Sequence, residues 1–252
     1  MKDYFASFTG RVEEFAKYRP GYPEQIINLL ENKIGFDQSK DVADIGCGTG
    51  RLSRLFLNNG NLVFGVEPNE EMRLMAEKLL GKFINFIGID GTAEETKLAT
   101  NSVDIITVGQ AFHWFDLKKT KKEFKRILRK EGYVVILWNE RTNTSQVMKA
   151  INKILLSLNQ EHEEAEKNLV DKKLLNAFFG EEKIGSGTFP NFQMLDLTGL
   201  KGRIHSISYV PDSGTENKRI MNELKEVFEK YNNGGQVKIE YTTRVFYGKI
   251  KS

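Results

Sequence analysis

The stretch DIGCGTGRLSRLF, Asp44 to Phe56, places three glycines within five positions, directly after an apolar run and directly before a helical pattern. A strand, a glycine-rich loop and a helix N-terminus in succession bring backbone N–H groups to the carboxyl edge of a sheet. The positive end of the helix dipole lies at the same edge, where α/β proteins bind their ligands. The stretch therefore predicts a nucleotide-type binding site.

The spacing of the glycines separates two kinds of site. Gly46, Gly48 and Gly50 form G-x-G-x-G, whereas the dinucleotide fingerprint G-x-G-x-x-G would need a glycine at Arg51. Asp44 precedes the first glycine, and a carboxylate suits an amino or cationic group better than a diphosphate. Glu67 follows Gly46 by 21 residues, about the separation at which an acidic residue receives ribose hydroxyls. A dehydrogenase stays an alternative that Arg51 disfavours.

Apolar, β-branched runs alternate with amphipathic stretches along the chain, as in parallel βαβ units. Leu52, Leu55 and Phe56 have helical spacing between the first two runs. The strands are predicted at Asp41–Ile45, Leu62–Val66, Phe83–Ile87, Val103–Val108, Tyr133–Trp138, Phe189–Leu195 and Val237–Ile250. Helices are predicted at Val147–Leu158, Ala165–Phe178, Leu197–Ser206 and Thr215–Tyr231.

One domain over residues 1–252 is predicted from this order. N-terminal lid helices would occupy 1–40, the ligand-binding core 41–141, and an inserted helical cap 142–187 that ends in the glycine-rich GSGTFP. Residues 188–252 would complete the sheet.

Composition limits the cellular compartments and the partners expected for the protein. The chain is 40% hydrophobic and 28% charged, and its apolar runs are too short to span a bilayer. The N-terminus lacks the apolar core of a secretion signal, and the single cysteine, Cys47, can form no internal disulfide. A reducing cytoplasm is expected. The net charge of +3 is too small to argue for a nucleic-acid partner.

Five segments together resemble one family, the class I S-adenosylmethionine-dependent methyltransferases. They are VADIGCGTGRLSRLF, VFGVEPNEEMRLMA, GIDGTAEETKL, NSVDIITVGQAFHWFD and FKRILRKEGYVVILWNER, in this order. The segments YRPGYP and AFHWF are similar to the small-molecule branch that includes trans-aconitate methyltransferase-like proteins. The resemblance implies a Rossmann-like, doubly wound, seven-stranded, mostly parallel sheet with an antiparallel last strand. It also implies S-adenosyl-L-methionine as cofactor.

The resemblance assigns roles by position. Asp44 and the glycine loop would hold the methionine part of the cofactor, Glu67 the ribose hydroxyls and Thr92–Glu94 the adenine edge. Relatives often carry Asp where Thr92 stands, so backbone groups of Ala93, or the nearby Asp90 and Glu94, could replace that contact. The implied cofactor-binding set is Asp44, Gly46, Cys47, Gly48, Thr49, Gly50, Glu67, Pro68, Met72, Thr92, Ala93, Glu94, Gly109, Gln110 and Ala111.

Side chains for the methyl acceptor are predicted near the ends of the fourth and fifth strands and in the N-terminal segment. His113 is the candidate general base, with a purely structural, hydrogen-bonded histidine as the alternative. With a hydroxyl acceptor the rate should rise as pH passes the imidazole pKa, about 6.5 when unperturbed. A carboxylate acceptor needs no base and would depend on Arg19 or Arg141. The candidate acceptor and lid residues are Tyr18, Arg19, Tyr22, Trp114, Asn139 and Arg141.

Several patterns favour plainer interpretations. Cys47 has no base beside it in sequence and is predicted to be a buried filler. HEEAE, His162 to Glu166, lacks the second histidine of H-E-x-x-H, so no metal site is predicted. The lysine-rich run Lys118–Lys130 carries its apolar residues on one helical face, which favours a solvated helix over an RNA-binding stripe. A non-catalytic cofactor-binding or RNA-binding regulator stays the alternative to a small-molecule methyltransferase.

Overall fold

A computed structural model describes residues 12–158, 172–180 and 184–250 of the chain. The chain divides into two compact units, each assembled from three segments. Unit 1 contains Met1–Pro20, Glu140–Leu169 and Pro190–Thr242, and unit 2 contains Gly21–Asn139, Val170–Phe189 and Thr243–Ser252. The predicted single-domain boundaries stay a prediction.

The described elements follow the alternation seen in the sequence. The helices are α1 (Val12–Tyr18), α2 (Gln25–Ile34), α3 (Arg51–Asn58), α4 (Glu70–Leu80), α5 (Leu117–Ile127), α6 (Gln146–Leu156), α7 (Lys172–Phe179), α8 (Leu197–His205) and α9 (Gly214–Tyr231). The strands are β1 (Val42–Ile45), β2 (Val63–Val66), β3 (Phe86–Ile89), β4 (Val103–Gly109), β5 (Leu128–Arg141), β6 (Gly185–Leu195) and β7 (Val237–Gly248). They form one sheet in the order β3-β2-β1-β4-β5-β7-β6. The sheet is mostly parallel, and its last strand is antiparallel, as predicted.

The register of the parallel strands fixes where the glycine loop lies. β1 pairs with β2 on one side and β4 on the other, and Ile45 is the partner of Val66. The residues that follow these two strands, Gly46 and Glu67, therefore leave the sheet at the same edge. Strand order reverses at β1, which is where open α/β sheets bind ligands.

The core of unit 2 explains why α3 follows the loop at once. Leu52, Leu55 and Phe56 are buried against the sheet, and Phe36 meets Phe56 edge to face at 5.7 Å between ring centroids. Because its apolar stripe has helical spacing, α3 packs only when it starts immediately after Gly50.

Unit 1 has an apolar core of its own, built from α6, α8, α9 and the first half of β7. Met148, Leu200, Ile220 and Leu224 are fully buried within it. Ser145 begins α6 and Asp196 begins α8, and each side chain accepts a hydrogen bond from the first turn of its helix, the usual way of capping a helix N-terminus.

Three predicted boundaries were wrong. β5 runs from Leu128 to Arg141 rather than over Tyr133–Trp138, so residues 128–130 of the lysine-rich run lie in a strand and not in a helix. β3 runs from Phe86 to Ile89 rather than Phe83–Ile87, because the Phe83 amide donates to the Leu80 carbonyl in a turn at 2.8 Å. GSGTFP does not end a cap, since β6 begins at Gly185. A Cβ on Gly185 would lie 2.2 Å from the Tyr247 ring, so the glycine marks a close approach within the sheet and not a loop.

Other predictions extend beyond the described residues. The start of the predicted helix Ala165–Phe178 and the HEEAE segment lie outside them. Within residues 12–158, 172–180 and 184–250, no helix combines the length and apolar character that crossing a membrane requires.

Candidate functional site

The glycine loop adopts a backbone that other residues rarely take. Gly46, Gly48 and Gly50 have φ of +69°, +56° and +78°, in the left-handed region that favours glycine. The amides of Gly46 and Cys47 both donate to the Val66 carbonyl, at 2.8 and 3.2 Å. The loop is thus held to the end of β2 by its own backbone.

Space as well as backbone angle demands glycine in this loop. A Cβ on Gly46 would lie 2.8 Å from the Cβ of Ala111, and a Cβ on Gly50 would lie 2.4 Å from Leu80 Cδ1. Gly46 therefore touches the segment Gly109–Ala111 after β4, which the resemblance implied as the wall of the site. The structure brings these two predicted parts together.

Glu67 is joined directly to the loop. Its Oε2 accepts a hydrogen bond from the Gly48 amide at 2.9 Å, and its Oε1 accepts one from the Asn69 amide at 3.0 Å. Burial raises the pKa of Glu67, and the two backbone hydrogen bonds oppose that rise. The carboxylate is therefore fixed in orientation beside the glycines.

Side chains at the start of α4 hold the backbone around Glu67 in place. The Asn69 side chain accepts from the amide of buried Met72 at 3.0 Å, and the Arg73 guanidinium donates to the Glu67 carbonyl oxygen at 2.9 Å. Pro68 is half-buried. Sequence reasoning missed Asn69 and Arg73, although Asn before an acidic first turn is an N-cap signal.

Thr49 carries an unsatisfied hydroxyl in the middle of the loop. The residue is 2% exposed, and its Oγ1 has no hydrogen-bond partner among the described residues. Since buried hydroxyls are nearly always satisfied, an orphaned one points to a missing ligand atom. The methionine carboxylate of the cofactor would supply such an acceptor.

Asp44 lies inside the protein. It is 0% exposed, and its two oxygens accept from Ser53 Oγ at 2.6 Å and Thr107 Oγ1 at 3.1 Å. Burial raises its pKa to about 6, against the lowering effect of those two hydroxyls. Ser53 and Thr107 were missed, although Thr107 is a lone hydroxyl in an otherwise apolar buried run.

Cys47 packs beneath the loop. Its Sγ lies where a Cβ on Gly65 would approach to 3.0 Å, and burial raises the thiol pKa well above its usual value. A protonated, buried thiol is a poor nucleophile, in keeping with the predicted filler.

The predicted adenine edge is a tight turn after β3. Thr92 Oγ1 accepts from the Glu95 amide at 3.1 Å, and Ala93 is buried. Glu94 accepts from the Asp116 amide at 2.9 Å. Asp90 is 61% exposed and pairs with Arg73 at 3.5 Å. Of the two carboxylates offered as replacements for an Asp at Thr92, Asp90 is therefore the more accessible.

Gln110 and Asn139 join the ends of β4 and β5. Gln110 has φ +60°, rare for a residue with a side chain and typical of functional sites. Its Oε1 accepts from the Asn139 amide at 3.0 Å, and its Nε2 donates to the Asn139 carbonyl at 3.4 Å. This pair of bonds stabilises the unusual backbone.

Asn139 also fixes the segment that carries Tyr22. Its Nδ2 donates to the Gly21 carbonyl at 3.1 Å. A Cβ on Gly109 would lie 2.6 Å from the Tyr22 hydroxyl. Tyr22 therefore packs against Gly109 at the end of β4, and Asn139 holds the preceding residue, while the role of Tyr22 as a lid stays a prediction.

His113 is stacked among indole rings after β4. Its ring centroid lies 4.0 Å from that of Trp114 and 5.2 Å from that of Trp138. Burial lowers its pKa to about 4, and Nδ1 has no partner among the described residues. The imidazole is neutral at physiological pH. The rate increase expected with a hydroxyl acceptor stays a prediction, and the lowered pKa moves it from about pH 6.5 to about pH 4.

The remaining acceptor candidates belong to unit 1. Arg19 donates to the Ser206 carbonyl at 2.6 Å and lies 4.7 Å from the centre of the Phe15 ring. Tyr18 packs so closely on α8 that a Cβ on Gly202 would lie 2.1 Å from its ring. Arg141 is the last residue of β5 and lies in the same unit. Arg19 thus already has a structural role at the end of α8.

The plainer interpretations concern residues away from the loop. Among the described residues, no group of His, Cys, Asp and Glu could hold a metal ion. α5 buries Phe124 and Ile127 and exposes lysines on its other side, which is the solvated helix that the sequence predicted.

The strand order, the reversal at β1 and the loop joined to Glu67 define a Rossmann-like fold with a nucleotide-type site. Residues 43–136 match the family described as a methyltransferase domain. A methyltransferase-like protein of Schizosaccharomyces pombe is 26% identical over 247 residues, which cover 95% of this chain and 94% of the relative.

Two further comparisons agree. A methyltransferase of Mycobacterium tuberculosis is 34% identical over 140 residues, 56% of this chain and 55% of the relative. The structure of a candidate type II methyltransferase from Anaeromyxobacter dehalogenans shares the fold, with a TM-score of 0.65 at 18% identity over 92% of this chain and 98% of that one. Together these matches support a class I S-adenosylmethionine-dependent methyltransferase, with the family match itself confined to residues 43–136.

Proposed function

We propose that this protein transfers the methyl group of S-adenosylmethionine to an oxygen atom of a small molecule. The observation that carries the proposal is the fixed Glu67 carboxylate on the Gly48 amide, 2.9 Å away, next to the unsatisfied hydroxyl of Thr49. Glu67 supplies acceptors for two ribose hydroxyls, and Thr49 and the loop supply donors for a carboxylate. These residues fit the cofactor of the family.

The chain itself has little chemistry to perform. The cofactor, when bound, supplies a methyl group already activated by a positively charged sulfur. The residues of the site hold it and align the acceptor, which is where most of the acceleration arises in such reactions. Gln110 and Asn139 fix the wall after β4, and Tyr22 covers it. Neutral His113 can accept a proton from a hydroxyl acceptor, whereas a carboxylate acceptor needs none.

The segment after β4 favours oxygen as the acceptor atom. The resemblance implies that enzymes methylating amines of nucleic acids or protein amides carry N/D-P-P followed by an aromatic residue here. This chain has Gly109-Gln110-Ala111-Phe112 instead. The proposal therefore has a small molecule, and not a nucleic acid, as the methyl acceptor, and the cytoplasm as the place of the reaction.

Calorimetry with S-adenosylhomocysteine and with NAD tests the cofactor, in buffer containing a chelator. We expect micromolar or tighter binding of S-adenosylhomocysteine and none of NAD; equal or tighter binding of NAD would refute the proposal. Release of S-adenosylhomocysteine is then measured with a panel of carboxylic acids, phenols and amines. Methylation of an amine or of RNA in preference to every oxygen acceptor would refute the acceptor class.

A further inference from the structure

A buried carboxylate on α5 holds the turn that follows β3. Glu123 is 9% exposed, and its Oε1 accepts hydrogen bonds from the amide and the hydroxyl of Thr96, at 2.8 and 2.6 Å. Thr96 is fully buried, and its hydroxyl oxygen also accepts from the Leu98 amide at 3.3 Å. One side chain of α5 thus binds both donors of a residue that lies 27 positions earlier in the chain.

Arg126 fixes the orientation of this carboxylate. Its Nε donates to Glu123 Oε2 at 2.8 Å and its Nη2 donates to Glu123 Oε1 at 2.7 Å, the paired geometry that suits a guanidinium and a carboxylate. Nη2 also donates to the Leu98 carbonyl at 2.7 Å. The hydrogen bond from Arg126 is the main reason why the pKa of Glu123 is lowered to about 2, so Glu123 is ionised at physiological pH.

The turn Gly91–Leu98 has a second contact with α5. The Glu94 carboxylate accepts from the amide of Asp116, the residue that caps α5, at 2.9 Å. The turn also packs closely on itself, because a Cβ on Gly91 would lie 2.8 Å from the Thr96 carbonyl oxygen. The position of the turn is therefore set by α5, at the start of the helix and again at Glu123.

The strand order places this turn beside the Glu67 carboxylate. β3 is the neighbour of β2 on the side away from β1, and the Glu67 amide donates to the carbonyl of Ile89, the last residue of β3, at 3.0 Å. A ligand with its carboxylate at Thr49, after β1, and its ribose at Glu67, after β2, continues toward the residues after β3. In S-adenosylmethionine, the part that remains is the adenine.

We propose that Glu123 is a positioning residue for the adenine of the cofactor. Its oxygens are occupied by Thr96 and Arg126, so it acts through Thr96, which fixes the backbone of Thr92–Glu94. The inference rests on the proposed methyltransferase function and names the residue of α5 on which recognition of the base depends. A binding group has to be held within about 0.5 Å of its productive position. The exposed ion pair between Lys97 and Asp90 in the same region is too weak for that purpose.

The test compares two ligands that differ only in the base. S-Adenosylhomocysteine and S-inosylhomocysteine, which has a carbonyl oxygen in place of the adenine amino group, are titrated into the full chain by calorimetry. The variants are Glu123→Met, Thr96→Val and Thr96→Ser. Glu131→Gln is the control for charge, because Glu131 is an exposed carboxylate paired with Lys249. Gly35→Ala is the control for stability, because its left-handed backbone is strained by a side chain away from the turn.

We expect the unmodified protein to bind S-adenosylhomocysteine more tightly than S-inosylhomocysteine. Glu123→Met and Thr96→Val should each reduce this preference about 2- to 12-fold, the range for one neutral hydrogen bond, while the affinity for S-inosylhomocysteine stays nearly unchanged. Thr96→Ser should retain the preference, because its hydroxyl can still donate to Glu123. Glu131→Gln and Gly35→Ala should show the preference of the unmodified protein.

Equal losses of affinity for both ligands in Glu123→Met would identify a purely structural carboxylate and overturn the inference. An unchanged preference in Glu123→Met and Thr96→Val would overturn it as well. If Glu123→Met does not fold, the two Thr96 variants decide, since an equal preference in Thr96→Val and Thr96→Ser refutes a role for the hydroxyl that Glu123 binds. Binding of S-adenosylhomocysteine without preference for adenine overturns this inference alone, whereas no binding to the unmodified protein overturns the proposed function and the inference with it.

Discussion

Replacing Glu67 by Gln tests the carboxylate that defines the cofactor site. In the folded protein its two oxygens accept from the Gly48 and Asn69 amides at 2.9 and 3.0 Å. Gln keeps one oxygen and the length of the side chain, but it turns the second acceptor into a donor and removes the charge. A hydrogen bond to a charged group contributes about 1.5–3 kcal/mol. The affinity for S-adenosylhomocysteine should therefore fall about 10- to 150-fold.

The effect on stability should be much smaller. One amide loses its acceptor, which costs about 1–3 kcal/mol, but burial already disfavours the Glu67 charge and raises its pKa. The two contributions have opposite signs, so we expect the free energy of unfolding to change by no more than about 2 kcal/mol. A large loss of affinity with a small change in stability distinguishes a binding residue from a structural one.

The assay is a double-mutant cycle by calorimetry. S-Adenosylhomocysteine and its 2′-deoxy analogue are titrated into the unmodified protein and Glu67→Gln. Glu70→Gln is the control, because Glu70 is an exposed carboxylate three residues further on, at the start of α4. Loss of the hydroxyl should weaken binding to the unmodified protein more than to Glu67→Gln. If both proteins lose the same amount, Glu67 does not bind that hydroxyl and the reasoning fails.

Three further predictions use positions around the same loop. Gly50→Ala should lower the free energy of unfolding by about 2–5 kcal/mol, because Gly50 has a left-handed backbone and an added Cβ would clash with Leu80. Gly35→Ala is the control: Gly35 has φ +66° but open space around it, so the loss should be only about 1–2 kcal/mol. Equal losses in urea denaturation would contradict the packing argument. Burial raises the pKa of Asp44 in the folded protein to about 6. The free energy of unfolding should therefore fall by up to about 3 kcal/mol as the pH rises from about 4 to 6. Asp44→Asn should abolish that decline and be more stable at pH 7.5 but not at pH 4, and a variant less stable at both would refute it. With a hydroxyl acceptor, His113→Gln should reduce single-turnover rates about 10²–10⁴-fold, whereas with a carboxylate acceptor the reduction should stay under about tenfold; in both cases rates of the unmodified protein should be level from about pH 5.5 to 8, since the His113 pKa is about 4.

Local patterns were enough to predict most of the fold. β1, β2 and β4 are short, apolar and bounded by loops, and their helices carry clear apolar stripes, so sequence and structure agree within a residue or two. β3 was displaced because Phe83 has the same apolar character as a strand residue but packs into the core from a turn. The start of β6 at Gly185 was missed because the reason for the glycine is a contact with Tyr247, 62 positions away in sequence.

The candidate site divides in the same way. The loop glycines and the acidic residue after β2 were predictable, because residue type and spacing along the chain are enough to identify them. They are Gly46, Gly48, Gly50 and Glu67. The burial of Asp44 was not, since it depends on Ser53 and Thr107, which reach it from two other elements. The low pKa of His113 was equally hidden, because the desolvation that lowers it comes from the folded environment of the ring.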